Sequence, residues 1–349
     1  MDAAPGEPDG AGSEGLLDGP ESEAPPTTID AEAPPDLAPD VPPAPVPYPR
    51  PEYTLLSQAG LYQDIARRVI AAGLEEFRPT YTLWSDGADK RRWVALPPGT
   101  KVDTSDMDRW MLPVGTKFWK EFSIAGALLE TRLVERYGTG PQDYWMGSFV
   151  WKADQSDAVF AENGQMDING TSHDAPARKH CEVCHNGEPG RALGFSAMQL
   201  SRTGDGLTLD ALAAESRVTD PPAAGTSFHP PGDPVAVLAL GYLHANCGHC
   251  HNLKGTSWPD TQMVLRLETG DTTLEASGIY RTVVGQKLQY WRHDGFAQRV
   301  VPGDPTASAL MFRMQTRGKL DQMPSLATEV VDAIGVDTIT RWITSLPVP

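Results

Sequence analysis

All four cysteines of this 349-residue chain fall in two short stretches, Cys181-Glu182-Val183-Cys184-His185 and Cys247-Gly248-His249-Cys250-His251. Each reads Cys-x-x-Cys-His. Two thiols separated by two residues match the spacing of the two vinyl groups on a porphyrin and can add across them as thioether tethers. A histidine directly after the second thiol can turn back and bind the metal. The pattern therefore predicts two covalently held c-type haems. Cys181, Cys184, Cys247 and Cys250 are the tethers, and His185 and His251 are the iron ligands. No thiol remains for a structural disulfide or a free nucleophile.

Two other chemistries use paired cysteines. A Cys₄ zinc site usually separates its pairs by roughly 15–20 residues. Cys184 and Cys247 lie about three times farther apart than that, and such a site leaves both histidines unexplained. A thioredoxin-like dithiol does not require the following histidine, and no βαβ pattern surrounds either pair. Haem accounts for more of the residues than either.

Haem iron usually takes a sixth ligand. In a c-type domain it commonly comes from a loop just before the last helix, here Asp321-Gln322-Met323-Pro324-Ser325-Leu326. Met323 is the natural donor, and a thioether favours reduced iron and raises its potential. Pro324 would stiffen the loop. Met314, Met311 and His293 are the fallbacks, and a plain core role for Met323 is the competing reading. No Met-Pro loop follows His185. The first haem is left with Met198, His173, His180, His229 or His244, or with an open site where catalysis could enter.

The elements that must position these groups read as an α+β chain. A β-sandwich-like N-terminal module precedes two mainly α-helical cytochrome c-type haem segments. Residues 1–50 form an acidic, proline-rich tether holding 13 of the 32 prolines. Residues 51–170 form the β-rich module, 171–232 the first haem segment and 233–349 the second cytochrome c-like domain. A helix is expected over 61–74 from the spacing of Ile65, Val69 and Ala72. Strands are expected over 79–160, where Phe118 and Phe122 alternate onto one side and Leu129, Thr131 and Leu133 alternate likewise. Trp84, Trp93, Trp110, Trp119, Trp145 and Trp151 read as core rather than as a binding platform. Asp86, Asp89, Asp103, Asp106 and Asp108 lack the spacing of a calcium loop.

Helical sequence is expected at 197–200 and 207–215. Val235, Leu238 and Tyr242 mark a helix face running into Cys247. A short helix is expected over 308–314. A final amphipathic helix carries Val336, Ile339, Trp342, Ile343 and Leu346 on one stripe. Met263 to Leu267 and Arg299 to Val301 read as strands.

The formal charge of −17 is uneven. Residues 1–50 carry 11 acidic groups and one basic group, which leaves −7 for the other 299 residues. A mildly acidic body argues against nucleic acid as a partner, because that needs a basic stripe. No stretch approaches the ~18 apolar residues of a membrane helix. Met1-Asp2-Ala3-Ala4-Pro5 has neither the basic start nor the apolar core of a signal peptide. Bacteria attach c-type haem outside the cytoplasm. The expectation is therefore a removed export signal, a lipoprotein signal being one form of it, and a periplasmic or outer-membrane-anchored protein.

The chain resembles a family of exported bacterial dihaem c-type cytochromes of unestablished role, over most of residues 79–349. The resemblance rests on Leu83-Trp84-Ser85-Asp86-Gly87-Ala88-Asp89-Lys90, on Phe118 to Phe122 with Glu130-Thr131-Arg132-Leu133, and on Phe149-Val150-Trp151. It continues through His180 to His185, Leu193-Gly194-Phe195, Gln199-Leu200, Tyr242 to His251, Met323-Pro324 and Trp342-Ile343. It implies two covalent haems, export and a lipid anchor, and it gives no substrate. Two functions follow as expectations. The favoured one is an electron carrier between redox partner proteins. The alternative is a dihaem peroxidase-like enzyme in which one haem opens to peroxide, for which the sequence assigns no distal acid–base residue. A weaker third has the tryptophan-rich module binding a polymer or partner.

Overall fold

The structure, a computed structural model, describes residues 49–348 apart from Pro259, Tyr290 and Asp294. The expected tether over 1–50 thus lies outside the described residues, save Pro49 and Arg50. Val46–Pro349 packs as one compact unit.

Strands and helices mix, as an α+β chain requires. Two short strands, β1 (Tyr62–Asp64) and β2 (Val69–Ile70), pair with each other. Six more form one antiparallel meander in chain order: β3 (Glu75–Glu76), β4 (Asp89–Ala95), β5 (Lys117–Ile124), β6 (Ala127–Arg136), β7 (Tyr144–Trp151) and β8 (Ala158–Phe160). Among the described residues this is a single sheet with a small hairpin beside it, not the two facing sheets of a sandwich. The β5–β6 turn holds Ala125 at φ 49° and Gly126 at φ 82°. Two left-handed residues give the tight turn whose twist matches that of the strands.

Because side chains alternate along a strand, the register sorts them onto two faces. Trp93, Trp119 and Leu133 stand opposite one another on β4, β5 and β6. They pack with Leu61, Trp145, Phe149 and Trp151 into a core in which all seven are 2% exposed or less. Trp110 is also buried and Trp84 half-buried, so five of the six tryptophans are core. The next residues along the same strands face the other way. There Arg92, Lys120 and Arg132 stand opposite one another.

Residues 61–74 are not a helix. The helical spacing of Ile65, Val69 and Ala72 is a coincidence of a hairpin. β-Branched Val69-Ile70 favour extended backbone, Ile70 pairs with Tyr62, and Arg68 turns the chain at φ 58°. Residues 263–267 and 299–301 are extended but form no ladder strands. Their backbone groups bond to loops and side chains instead. Leu265 N–H goes to His251 O, Val264 N–H to Thr282 Oγ1, and Val300 makes only an isolated bridge to Val284.

The helices are α1 (Cys181–His185), α2 (Ala197–Leu200), α3 (Leu209–Ala214), α4 (Pro234–Asn246), α5 (Gly278–Val283), α6 (Ala309–Gln315) and α7 (Ala333–Ser345). The helix expected over 207–215 is shorter by its ends. α4 starts on an Asp233 cap that accepts from Ala236 N–H at 2.8 Å, with Pro234 in the first turn. Its buried face is not the one marked by Leu238, which is 62% exposed. Ala236, Ala239, Leu240 and Leu243 are buried instead, against Ile339, Trp342 and Ile343 of α7. The helices approach so closely that a Cβ on Gly335 would lie 2.3 Å from the Tyr242 ring. Burying each large apolar side chain here contributes ~1.5–3 kcal/mol. This packing fixes the end of α4, where the second Cys-x-x-Cys-His stretch begins.

Candidate functional site

α1 is one short turn made of the first motif itself. In it, His185 Nδ1 lies 2.5 Å from the Arg191 carbonyl oxygen and donates to it. That fixes the ring and leaves Nε2 with its lone pair. The second motif follows α4 directly. His251 Nδ1 lies 3.3 Å from Thr261 Oγ1, which again leaves Nε2 free. Burial pushes both imidazoles down, to about 4, so both are neutral and able to bind a metal. Burial raises the Cys181 and Cys247 thiols to about 11 and 12.

The two motifs abut. A Cβ on Gly187, just after the first, would meet the His249 carbonyl at 2.1 Å. Thr256 Oγ1 donates to Val183 O at 2.9 Å, and Cys250 Sγ lies 3.5 Å from the same oxygen. Cys184 Sγ, Cys250 Sγ and a His249 ring nitrogen lie within 4.8 Å of one another. The contact with Cys250, together with His249, pulls the Cys184 thiol down, and the same contact pushes Cys250 up.

Both motifs open onto one cavity of about 280 Å³, near the lower end of the ~300–1,000 Å³ range of ligand sites. All six motif residues predicted to hold haem line it, as does Met323. Of the other methionines named for the second site, Met314 lines the cavity and Met311 sits in the α4–α7 core. His293 is exposed and off the cavity wall. Of those named for the first site, His173 and His180 line the cavity. Met198 is core, and His229 is exposed and bonded to Ser227. His244 accepts from Leu267 N–H through Nδ1 at 3.0 Å and stands off the wall.

The Trp-Ser-Asp-Gly stretch ties the pieces together. Trp84 N–H donates to Asn246 Oδ1 at 2.7 Å, at the end of α4, and Trp84 Nε1 donates to Val330 O at 3.0 Å. Buried Asp86 accepts from the Glu329 and Val330 N–H groups at 2.9 and 3.0 Å. The loop bearing Met323 is thereby anchored beside the second motif. Asp103, Asp106 and Asp108 serve turns and loops, Asp108 accepting from Thr269 N–H at 2.7 Å, and Asp89 opens β4. Among the described residues the five do not gather as a cation site. The carboxylates that do gather are Asp167, Asp174 and Glu329.

The cavity's charge was not legible in the sequence. Arg92, Lys120 and Arg132 form the cross-strand row on the sheet face toward it, and all three line it. Like charges placed directly opposite one another destabilise a sheet. Glu130 balances one of them, through Arg132 Nε at 2.7 Å. Arg92 is buried and makes no ion pair among the described residues. Burial lowers it to about 10, and burial with the neighbouring cations lowers Lys120 well below the usual range.

These walls fit a haem. They offer paired thiols beside neutral imidazoles, a thioether on the same wall, and a buried Arg92 without an anion among the described residues, which would suit a haem carboxylate. They fit zinc poorly. The cluster of Cys184, His249 and Cys250 leaves Cys181, Cys247, His185 and His251 unused, and a cation-rich wall repels a free metal ion.

No protein-family model, no curated protein and no solved structure matches this chain. None of its described helices is long and apolar enough to cross a membrane.

Proposed function

We propose that this chain is a dihaem c-type cytochrome that carries electrons between redox partner proteins outside the inner membrane. The observation that carries the reading is the convergence of both Cys-x-x-Cys-His motifs and Met323 on one cavity, with each motif histidine held through Nδ1. On this reading the short helix α1 and the α4–α7 pair are the cores of two cytochrome c-like segments that follow the sheet module. When bound, haem supplies reversible one-electron chemistry, and the chain supplies ligation, burial and spacing.

Cys181, Cys184, Cys247 and Cys250 would tether the haems, and His185 and His251 would bind their irons. Met323 offers a thioether to the second site and so favours its reduced state. The Cys184 and Cys250 sulfurs, within 4.8 Å of each other, bring the two tethering points together, which suits transfer between sites. The acidic body, at −7 outside the first 50 residues, would steer weak encounters with basic partner faces. Covalent haem attachment puts the protein in the periplasm or on a lipoprotein anchor at the outer membrane.

A second reading is a peroxidase-like enzyme, and one observation favours it. Arg132 and His173, bridged by Glu130, stand on the cavity wall and could serve as a distal acid–base group. Optical and EPR spectra of haem-loaded protein, taken with and without peroxide, separate the two. The carrier reading expects two low-spin haems, one of them methionine-ligated, and no peroxide consumption. A high-spin haem that turns over peroxide overturns it in favour of the enzyme.

A further inference from the structure

The sixth ligand of the first site can be argued from its surroundings, granted the haem reading above. His173 is 3% exposed and lines the cavity. Its Nε2 lies 2.8 Å from Glu130 Oε2. Glu130 is 0% exposed and is gripped by Arg132 through two hydrogen bonds, at 2.7 and 2.9 Å. The carboxylate is thus an acceptor, so the ring must donate its Nε2 proton to it. Nδ1 then carries the lone pair, and no donor among the described residues reaches it. Phe122, with ring centroids 4.8 Å apart, holds the imidazole in place. A carboxylate behind one ring nitrogen, with the other turned to a site, is the arrangement metal-ligating histidines almost always show.

The rivals fit less well. Met198, His229 and His244 are off the cavity wall. His180 adjoins Cys181 in sequence and pairs with no carboxylate among the described residues. His249 is engaged beside the Cys184 and Cys250 sulfurs.

We propose that His173 is the sixth ligand of the first haem iron and that Glu130 orients it. The first site is then closed, with two imidazoles. A carboxylate-backed imidazole donates more strongly than the Met323 thioether and favours oxidised iron. The first site accordingly has the lower potential, and electrons enter there and leave through the Met323 site.

The test is EPR and potentiometry on haem-loaded protein, with intact mass to count haems. Wild type should show one low-spin species with two imidazole ligands and one with imidazole and thioether. His173→Ala should keep both haems by mass and convert the first species to high-spin. His173→Met, which keeps a ligand, should turn it into a second imidazole–thioether species. Glu130→Gln should retain the low-spin signal and move its potential upward. The proposal is overturned if the two-imidazole signal survives His173→Ala and His173→Met, or is lost instead with His180→Ala or His249→Ala, or if the wild-type site is high-spin. A mass showing fewer than two haems would sink the parent reading rather than this assignment alone.

Discussion

Burial holds three histidines of this chain, His185, His244 and His251, below the usual imidazole range. His244 is the sharpest case, since burial pushes it down to about 3 while its Nδ1 accepts the Leu267 N–H. Protonation would break that bond. The unfolded chain takes up this proton near pH 6.5 and the folded chain only near 3. Stability is therefore full above 6.5 and is lost as pH falls through that window, at ~1.4 kcal/mol per unit. The ring keeps a little exposure, so the total loss is on the order of 3 kcal/mol. His244→Asn, which keeps an acceptor but does not titrate, should flatten the acid limb of the stability curve in haem-loaded protein. An unchanged limb in denaturant titrations between pH 6.5 and 3 would refute this. At this scale the sequence was most readable. The thiols, His185 and His251 line one cavity because each motif carries its groups within five residues, and Met323 joins them from the loop before the final helix. The Glu130–His173 contact was not readable, since 43 residues separate its partners.

Elements explain what the sequence hid. The alternation of Lys117 to Phe122 placed Lys120 on the side of Phe118 and Phe122. Only the register of β4, β5 and β6 reveals that Arg92 and Arg132 flank it. The strands expected at 263–267 and 299–301 failed for a related reason. Their apolar alternation is real, as buried Leu265 and Leu267 show, but their hydrogen-bond partners are loops and side chains. α7 was legible because its 3.6-residue apolar stripe is a local signal, and the Asp332 cap that starts it is seen only in the structure. The cationic row makes a prediction of its own. A positive charge in the cavity favours reduced iron, and at ~10 Å with an effective dielectric of ~20 it contributes on the order of 1–2 kcal/mol. Arg92, at about 10, keeps its charge at neutral pH, so Arg92→Met should lower a reduction potential by about that free energy without altering the ligand spectrum. Potentiometric titration of this variant checks it, and an unshifted potential would contradict it.

For the whole molecule, the hairpin, the sheet and the helices of Val46–Pro349 form one compact unit around the cavity. The sheet supplies the charged wall, α1 and the segment after α4 supply the cysteines and motif histidines, and the loop before α7 supplies Met323. Asp86 and Trp84 clamp that loop to α4. No local reading of the sequence anticipates this clamp, because its bonds span more than 160 residues. The central claim is that both motifs hold haem through their thiols. Intact mass spectrometry of the chain, exported from a bacterium that matures c-type cytochromes, addresses it most directly. The expected result is the polypeptide mass plus two haems, retained under denaturing conditions and falling to one haem in Cys181→Ala/Cys184→Ala and in Cys247→Ala/Cys250→Ala. A bare polypeptide mass, or zinc in place of iron, would contradict it.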